Sequence, residues 1–314
     1  MSALAVRPVR LGGLLAAGLI AVAGLTACAD NSSDEGGAGA SGGATPSSSV
    51  SIPAVQKDDA LAAQVPAAIA QRGTFTIGTD NTYAPNEYVD DSGKTVGFDI
   101  DLFDAVAAKL GLKTDYQKST FDNIIPSVEG GKYDIGVSSF TDNAEREQVV
   151  DFVTYFSAGT QWAAPKGKTV NPDDACGLTV AVQTGTVQET DDIPARSKAC
   201  TDAGKAEIQV KKFDDQGLVS NAVVLGQADA MLADSPITQY QVKQNGDKLQ
   251  LAGDVYDAAP YGYAIGKNQG SLKEAVQGAV NALIQDGTYT KVLDKWGLAD
   301  GAISESQVNA ASQG

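Results

Sequence analysis

From Thr74 to Ala233, short apolar runs of strand length alternate with segments whose apolar residues recur at helical spacing. Such alternation implies a parallel sheet with right-handed crossovers. In open α/β sheets, ligands bind in the crevice beyond the carboxyl ends of the strands. Four of the runs end in residues able to hold part of a free amino acid. Thr74–Gly78 leads to Thr79 and Asp80, and Tyr133–Val137 leads to Ser138 and Ser139, with Thr141 and Arg146 just beyond. Leu178–Val182 leads to Gly185 and Thr186, and Ala228–Ala233 leads to Asp234. One arginine for a carboxylate and one aspartate for an ammonium point to a binder of zwitterions.

The pattern supports further detail. Val55–Arg72 is a weakly amphipathic lead-in, broken by Pro66 and stopped by Gly73. Asp99 is the candidate N-cap of a helix carrying Leu102, Phe103, Val106 and Leu110, which Gly111 stops. Strands are expected over Leu112–Gln117, Ile208–Val210 and Tyr261–Ile265, and helices over Phe121–Glu129, Asp215–Leu225, Ser271–Asp286 and Thr288–Trp296. The period changes near Phe156–Gly167, which marks a boundary between two αβ series. The tail after Leu298 is polar and expected to fray.

The ends and the composition narrow the function. Arg7 and Arg10 precede an apolar stretch, Leu11–Leu25, too short to span a bilayer comfortably. Leu25-Thr26-Ala27-Cys28 resembles a bacterial lipoprotein cleavage box. Residues 1–27 are therefore expected to be a signal peptide and Cys28 the lipidated start of the mature chain. Residues 28–54 read as a flexible Gly/Ser-rich linker, because their composition buries too little surface to order itself. The formal charge of −16 argues against nucleic acid or anionic lipid as partners. There is no histidine, which removes the commonest general base and the commonest metal ligand. No metal or cofactor is expected. Cys176 and Cys200 remain after Cys28 is assigned, and an exported chain with two left over suggests one disulfide.

Several motifs together carry a resemblance. They are Gly97-Phe98-Asp99-Ile100-Asp101-Leu102, Phe121-Asp122-Asn123-Ile124-Ile125-Pro126, Ser138-Ser139-Phe140-Thr141, and Glu145-Arg146 followed by Val150-Asp151-Phe152. Gly185-Thr186-Val187-Gln188-Glu189 and Ala228-Asp229-Ala230 complete the series. In this order the chain resembles the polar-amino-acid substrate-binding proteins of ABC importers, the bacterial extracellular solute-binding proteins of family 3, from about Gly73 to Gly297. The resemblance implies a two-lobed, type II periplasmic-binding-protein-like α/β fold. Residues 55–165 and 261–298 would build lobe 1 and residues 166–260 an inserted lobe 2, with a polar tail over 299–314. The lobes would be joined by crossing segments near Ala158–Pro165 and Tyr261–Lys267.

By the same resemblance, Arg146 grips the substrate carboxylate and Asp234 receives the ammonium. Asp229 is its chemical rival, but it precedes its strand. Ser138, Ser139 and Thr141 offer carbonyl and hydroxyl groups. Gly185 and Thr186 present a helix N-terminus, with Val187 where relatives often have Thr. Tyr83 and Phe121 sandwich the side chain, and Asp80 meets a side-chain nitrogen. The implied function is a monomeric, lipid-anchored receptor on the outer face of the cytoplasmic membrane. It would bind a basic or amide-bearing L-amino acid and deliver it to a membrane permease. A dehydratase-like cleft enzyme, with Glu189 and Asp234 as the candidate general acids placed near the cleft, and a ligand sensor are the alternatives.

Overall fold

A computed structural model describes residues 50–313. The expected signal peptide, the expected lipidation site Cys28 and most of the expected linker lie outside those residues. In chain order the strands are β1 (Thr74–Thr79), β2 (Thr82–Tyr83), β3 (Glu87–Val89), β4 (Thr95–Val96), β5 (Lys113–Lys118) and β6 (Ile135–Thr141), then β7 (Val150–Pro165), β8 (Thr179–Gln183), β9 (Gln209–Phe213), β10 (Ala230–Asp234) and β11 (Leu249–Gly266). The helices are α1 (Asp59–Ala62), α2 (Ala67–Arg72), α3 (Phe98–Lys109), α4 (Phe121–Glu129), α5 (Ile193–Asp202), α6 (Gln216–Val224), α7 (Ser235–Gln244), α8 (Leu272–Gln285) and α9 (Thr288–Trp296).

Eight strands hydrogen-bond in the order β5-β1-β6-β11-β7-β10-β8-β9, and β2, β3 and β4 form a small separate sheet. Pairing is parallel among β5, β1 and β6, and among β10, β8 and β9. It is antiparallel wherever β7 or β11 takes part. These two long strands belong to both lobes. The first half of β7 lies against the second half of β11 beside β6, and the second half of β7 lies against the first half of β11 beside β10. The β11 register slips repeatedly between Ala252 and Gly262, where the ribbon passes from one lobe to the other. The expected strand at Tyr261–Ile265 is thus the end of a longer one. Its earlier half, Leu249–Ala258, alternates poorly because the crossing exposes it.

The central strands β6 and β10 are buried along nearly their whole length, as strands covered on both faces must be. Over one face of lobe 1, Leu102, Phe103 and Val106 of α3 pack with Val276, Val280 and Leu283 of α8 and Val292 and Trp296 of α9. On the other face, Ile124 and Val128 of α4 pack on Phe140 and Phe152. Lobe 2 has an equivalent pair of cores around Met231 and Leu232.

Two expectations need correction. Asp99 is not the N-cap of α3. That place belongs to Gly97, whose φ of 144° only glycine adopts readily and whose added Cβ would sit 2.0 Å from the Asn86 carbonyl oxygen. Asp99 lies inside the first turn, fully buried, with its carboxylate turned toward β6. The tail does not fray either. Val308 bridges to Val153, the Thr154 N–H donates to the Gln307 carbonyl at 2.9 Å, and the Asn309 N–H donates to the Phe152 carbonyl at 3.0 Å. The tail therefore covers the edge of β7 that β10 leaves open. These bonds join main chain to main chain, which hydrophobic periodicity cannot register.

Cys176, before β8, is bonded to Cys200 on α5 with an S–S distance of 2.03 Å. Closing a loop of 24 residues separation removes about 3.5 kcal/mol of unfolded-state entropy in the chain-entropy model.

Candidate functional site

Arg146 follows β6 on a single tight turn whose first N–H donates to Asn143 Oδ1 at 2.9 Å. Its guanidinium fork donates to the Thr141 carbonyl from Nη1 and to the Gly185 carbonyl from Nη2, both at 2.9 Å. The second of these bonds crosses between the lobes. The guanidinium also lies 5.5 Å from the centre of the Phe121 ring and 5.9 Å from that of Phe140. Those rings stack on each other at 4.7 Å. Burial pulls the Arg146 pKa below its ordinary value, while the charge of Asp234 opposes the shift.

Asp234 ends β10, where the strand turns into α7. Its Oδ2 accepts from the Tyr83 hydroxyl at 2.9 Å and the Tyr261 hydroxyl at 2.6 Å, and its Oδ1 accepts from Gln188 Nε2 at 2.7 Å. Burial raises its pKa; those three hydrogen bonds and the Arg146 charge act against the rise. Asp229 lies at the other end of β10, where it accepts from the Thr179 N–H at 3.0 Å.

Tyr83, Phe121, Ser139, Thr141, Arg146, Thr186, Val187, Gln188 and Asp234 enclose one small cavity. Free space there is about 10 Å³, room for about one water. The side chains have closed on one another.

The remaining expected residues take neighbouring places. Gly185 needs its φ of 80°, and a Cβ on it would come 2.9 Å from Asp122 Cβ, so the lobes meet closely there. The Thr186 hydroxyl donates to the Gln183 carbonyl at 2.8 Å and so serves its own turn. Asp80 lies outside the cavity lining. It is buried at 2 % exposure, accepts a hydrogen bond from Gln183 of the facing lobe, and has its pKa pushed up to about 6 by burial. Its N–H donates to Ser138 Oγ at 3.1 Å.

Sequence reading missed Gln188 and Tyr261, which complete the shell of donors around Asp234, and Phe140, which floors Arg146. Gln188 stands inside a motif already singled out. Tyr261 opens an expected strand, but nothing in its neighbours shows that its hydroxyl turns into the cleft.

A cation and an anion with converging donors and an aromatic floor can hold a carboxylate and an ammonium. The profile of the bacterial extracellular solute-binding proteins, family 3, matches residues 75–299. The chain belongs to this family. Among its relatives, arginine-binding protein ArgT of Corynebacterium glutamicum is 39% identical over 251 residues, covering 79% of this chain and 82% of that protein. Among solved structures, an ancestral arginine-binding protein bound to arginine superposes with a TM-score of 0.66 at 36% identity, covering 72% of this chain and 98% of that one. The ancestral amino acid-binding protein AncCDT-1, a precursor of cyclohexadienyl dehydratase, gives 0.64 at 33% identity, covering 73% and 97%. The family 3 fold, with two lobes joined through β7 and β11, thus accounts for a cleft built from both.

Proposed function

We propose that this family 3 protein is the receptor of an ABC importer for a polar L-amino acid with a nitrogen-bearing side chain, arginine foremost. The observation that carries the reading is the placement of Arg146 and Asp234 on facing strand ends around one aromatic-floored cavity. The Arg146 fork would turn from the Thr141 and Gly185 carbonyls to the ligand carboxylate, joined at the Gly185–Thr186 turn by the Thr186 N–H. Asp234 would take the ammonium, with Ser139 and Thr141 offering carbonyl oxygens. Tyr83 and Phe121 would flank the side chain, and Asp80, seated by Ser138, would meet its distal nitrogen. The arginine-binding relatives support that choice of ligand. Lobe 1 would comprise residues 55–165 and 261–298, and lobe 2 residues 166–260.

The receptor would be a monomer, exported and held to the outer face of the cytoplasmic membrane by lipid on Cys28. Intact mass of the native membrane form showing an unmodified Cys28 would refute the anchor. Catalysis is not part of this reading. Glu189 accepts from the Gly185 N–H at 3.1 Å and pairs with Lys212 at 3.0 Å, which leaves it poorly placed as a general acid. Prephenate and arogenate should pass through unchanged.

The test is a thermal-shift screen of the refolded, ligand-stripped protein from Val55 onward against the twenty amino acids. A ligand specific for the fold stabilises it by about 4 kcal/mol at 1,000 Kd. If no standard amino acid raises the melting temperature, the reading fails.

A further inference from the structure

Beneath the end of β6 lies a polar cluster that no step of ligand binding has used. Glu87 on β3 and Asp99 on α3 are both fully buried. Neither has a salt-bridge partner among the described residues, and one hydroxyl, Ser139 Oγ, lies within 3.3 Å of an oxygen of each. Two like charges this close in a dry interior, with no cation beside them, cannot both ionise cheaply, and one proton kept between them removes the repulsion.

The same pair grips the strand end. Ser138 Oγ donates to Glu87 Oε1 at 2.9 Å while accepting the Asp80 N–H. The Ser139 N–H donates to Asp99 Oδ2 at 2.8 Å. Ser139 Oγ lies 3.1 Å from Asp99 Oδ2 and 3.3 Å from Glu87 Oε2, and accepts from Asn86 Nδ2 at 2.9 Å. Tyr155 OH donates to Asp99 Oδ2 at 2.7 Å. Ser139 has a φ of 50°, a left-handed conformation that a serine keeps only where its surroundings enforce it. Its hydroxyl is spent inward, so it meets the cavity with its main chain.

We propose that Glu87 and Asp99 share a single proton and, through it, act as positioning residues that hold Ser138 and Ser139, and with Ser138 the main chain of Asp80, in their binding conformation. The proposal rests on the reading of this strand end as part of the ligand site. The groups facing the pair are Asp80 on β1, Tyr83 on β2, Tyr116 on β5, Tyr155 on β7 and Tyr263 on β11, all acids or phenols. Burial, then the mutual repulsion, raises Glu87 well above the usual carboxyl range, consistent with a retained proton.

The sign follows. A group whose pKa is raised on folding holds a proton that the unfolded chain has lost. Stability is therefore greatest below the unfolded value and declines as pH rises toward the folded one. For one such proton, the folding equilibrium constant falls tenfold per pH unit.

The experiment is urea unfolding of the ligand-free protein from pH 5 to 8, comparing wild type with Glu87→Gln, which donates the hydrogen bond without a titrating proton. Wild type should lose close to tenfold per pH unit relative to Glu87→Gln; parallel profiles would overturn the shared proton. Affinity is then measured at pH 7. Glu87→Ala should weaken every amino-acid ligand at least tenfold, and Glu87→Gln should restore binding to within about threefold. Unchanged affinity in Glu87→Ala, or no rescue by Gln, would overturn the positioning role. If wild type binds no amino acid, the proposed function fails while the unfolding comparison still decides the proton. Should Glu87→Ala not fold, Asp99→Ala, which removes the acceptor for the Ser139 N–H, replaces it under the same criteria, with Asp99→Asn, which keeps that acceptor, as the variant expected to restore binding.

Discussion

Arg146 and Asp234 each arrive at the cleft with their hydrogen-bonding capacity taken up by the protein: two carbonyls for the guanidinium, two hydroxyls and an amide for the carboxylate. A ligand must exchange for some of these partners. On the proposed reading both charges would meet groups common to all amino acids, so Arg146→Ala and Asp234→Ala should each weaken every ligand. Breaking one side of a buried charged pair costs about 2–5 kcal/mol, readable by titration calorimetry. Asp80 should behave differently. With its pKa near 6, it is neutral in acid and charged above. Affinity for a cationic amino acid should fall relative to that for a small neutral one as pH drops through about 6. Asp80→Asn should flatten that difference; equal pH dependence for both ligands would assign Asp80 elsewhere. The charged ends of strands were legible because a lone Arg or Asp after an apolar run has few structural uses. Tyr261, Gln188 and the Glu87–Asp99 pair were not, since their partners are 27 to 46 residues distant in the case of Asp234 and 40 or more in the case of Ser139.

Among the elements, the αβ alternation of β1, α3, β5, α4 and β6 and of β8 to β10 could be read from apolar spacing, whereas the small sheet β2–β4 and helix α7 could not. The long strands could not. β11 is continuously buried only over its last six residues, Tyr261–Gly266, and in its first half only Leu249 and Ala252 are buried. The tail is the clearest test at this scale. Ser306 Oγ donates to the Thr154 carbonyl at 2.6 Å, Gln277 Nε2 donates to the Ser306 carbonyl at 2.9 Å, and the Ala310 N–H donates to Asp142 Oδ2 at 2.8 Å. Ending the chain at Ala302 removes these and the bonds to β7. At about 0.5–1.5 kcal/mol each, the loss should be at least about 2 kcal/mol in urea unfolding. The bared edge of β7 is also a template for another strand, so the shortened protein should associate with rising concentration in light scattering. A stable, monomeric truncation would show that the tail is ornamental.

For the molecule as a whole, the lobes are tied across the cleft at several points. Tyr83 reaches Asp234, Arg146 reaches Gly185, the Gln216 N–H donates to Thr82 Oγ1 at 3.2 Å, and the Tyr88 and Tyr240 rings lie 6.5 Å apart. The two-lobed plan was implied by ordered motifs rather than by composition, which reveals only one dense stretch. The route of the chain has a consequence in time. The sheet of lobe 1 is begun by β1, β5 and β6, yet its next strand inward is the second half of β11, and two of the three helices covering one of its faces, α8 and α9, follow later still. A fragment ending at Gly246 should therefore show no cooperative unfolding in circular dichroism, although it holds all the strands and helices described here but β11, α8 and α9. The first segments off the ribosome cannot complete their own core until nearly the last have followed. Contacts so distant in sequence form slowly. A nascent chain of this design stays open, and passable through a narrow channel, for almost the whole of its synthesis.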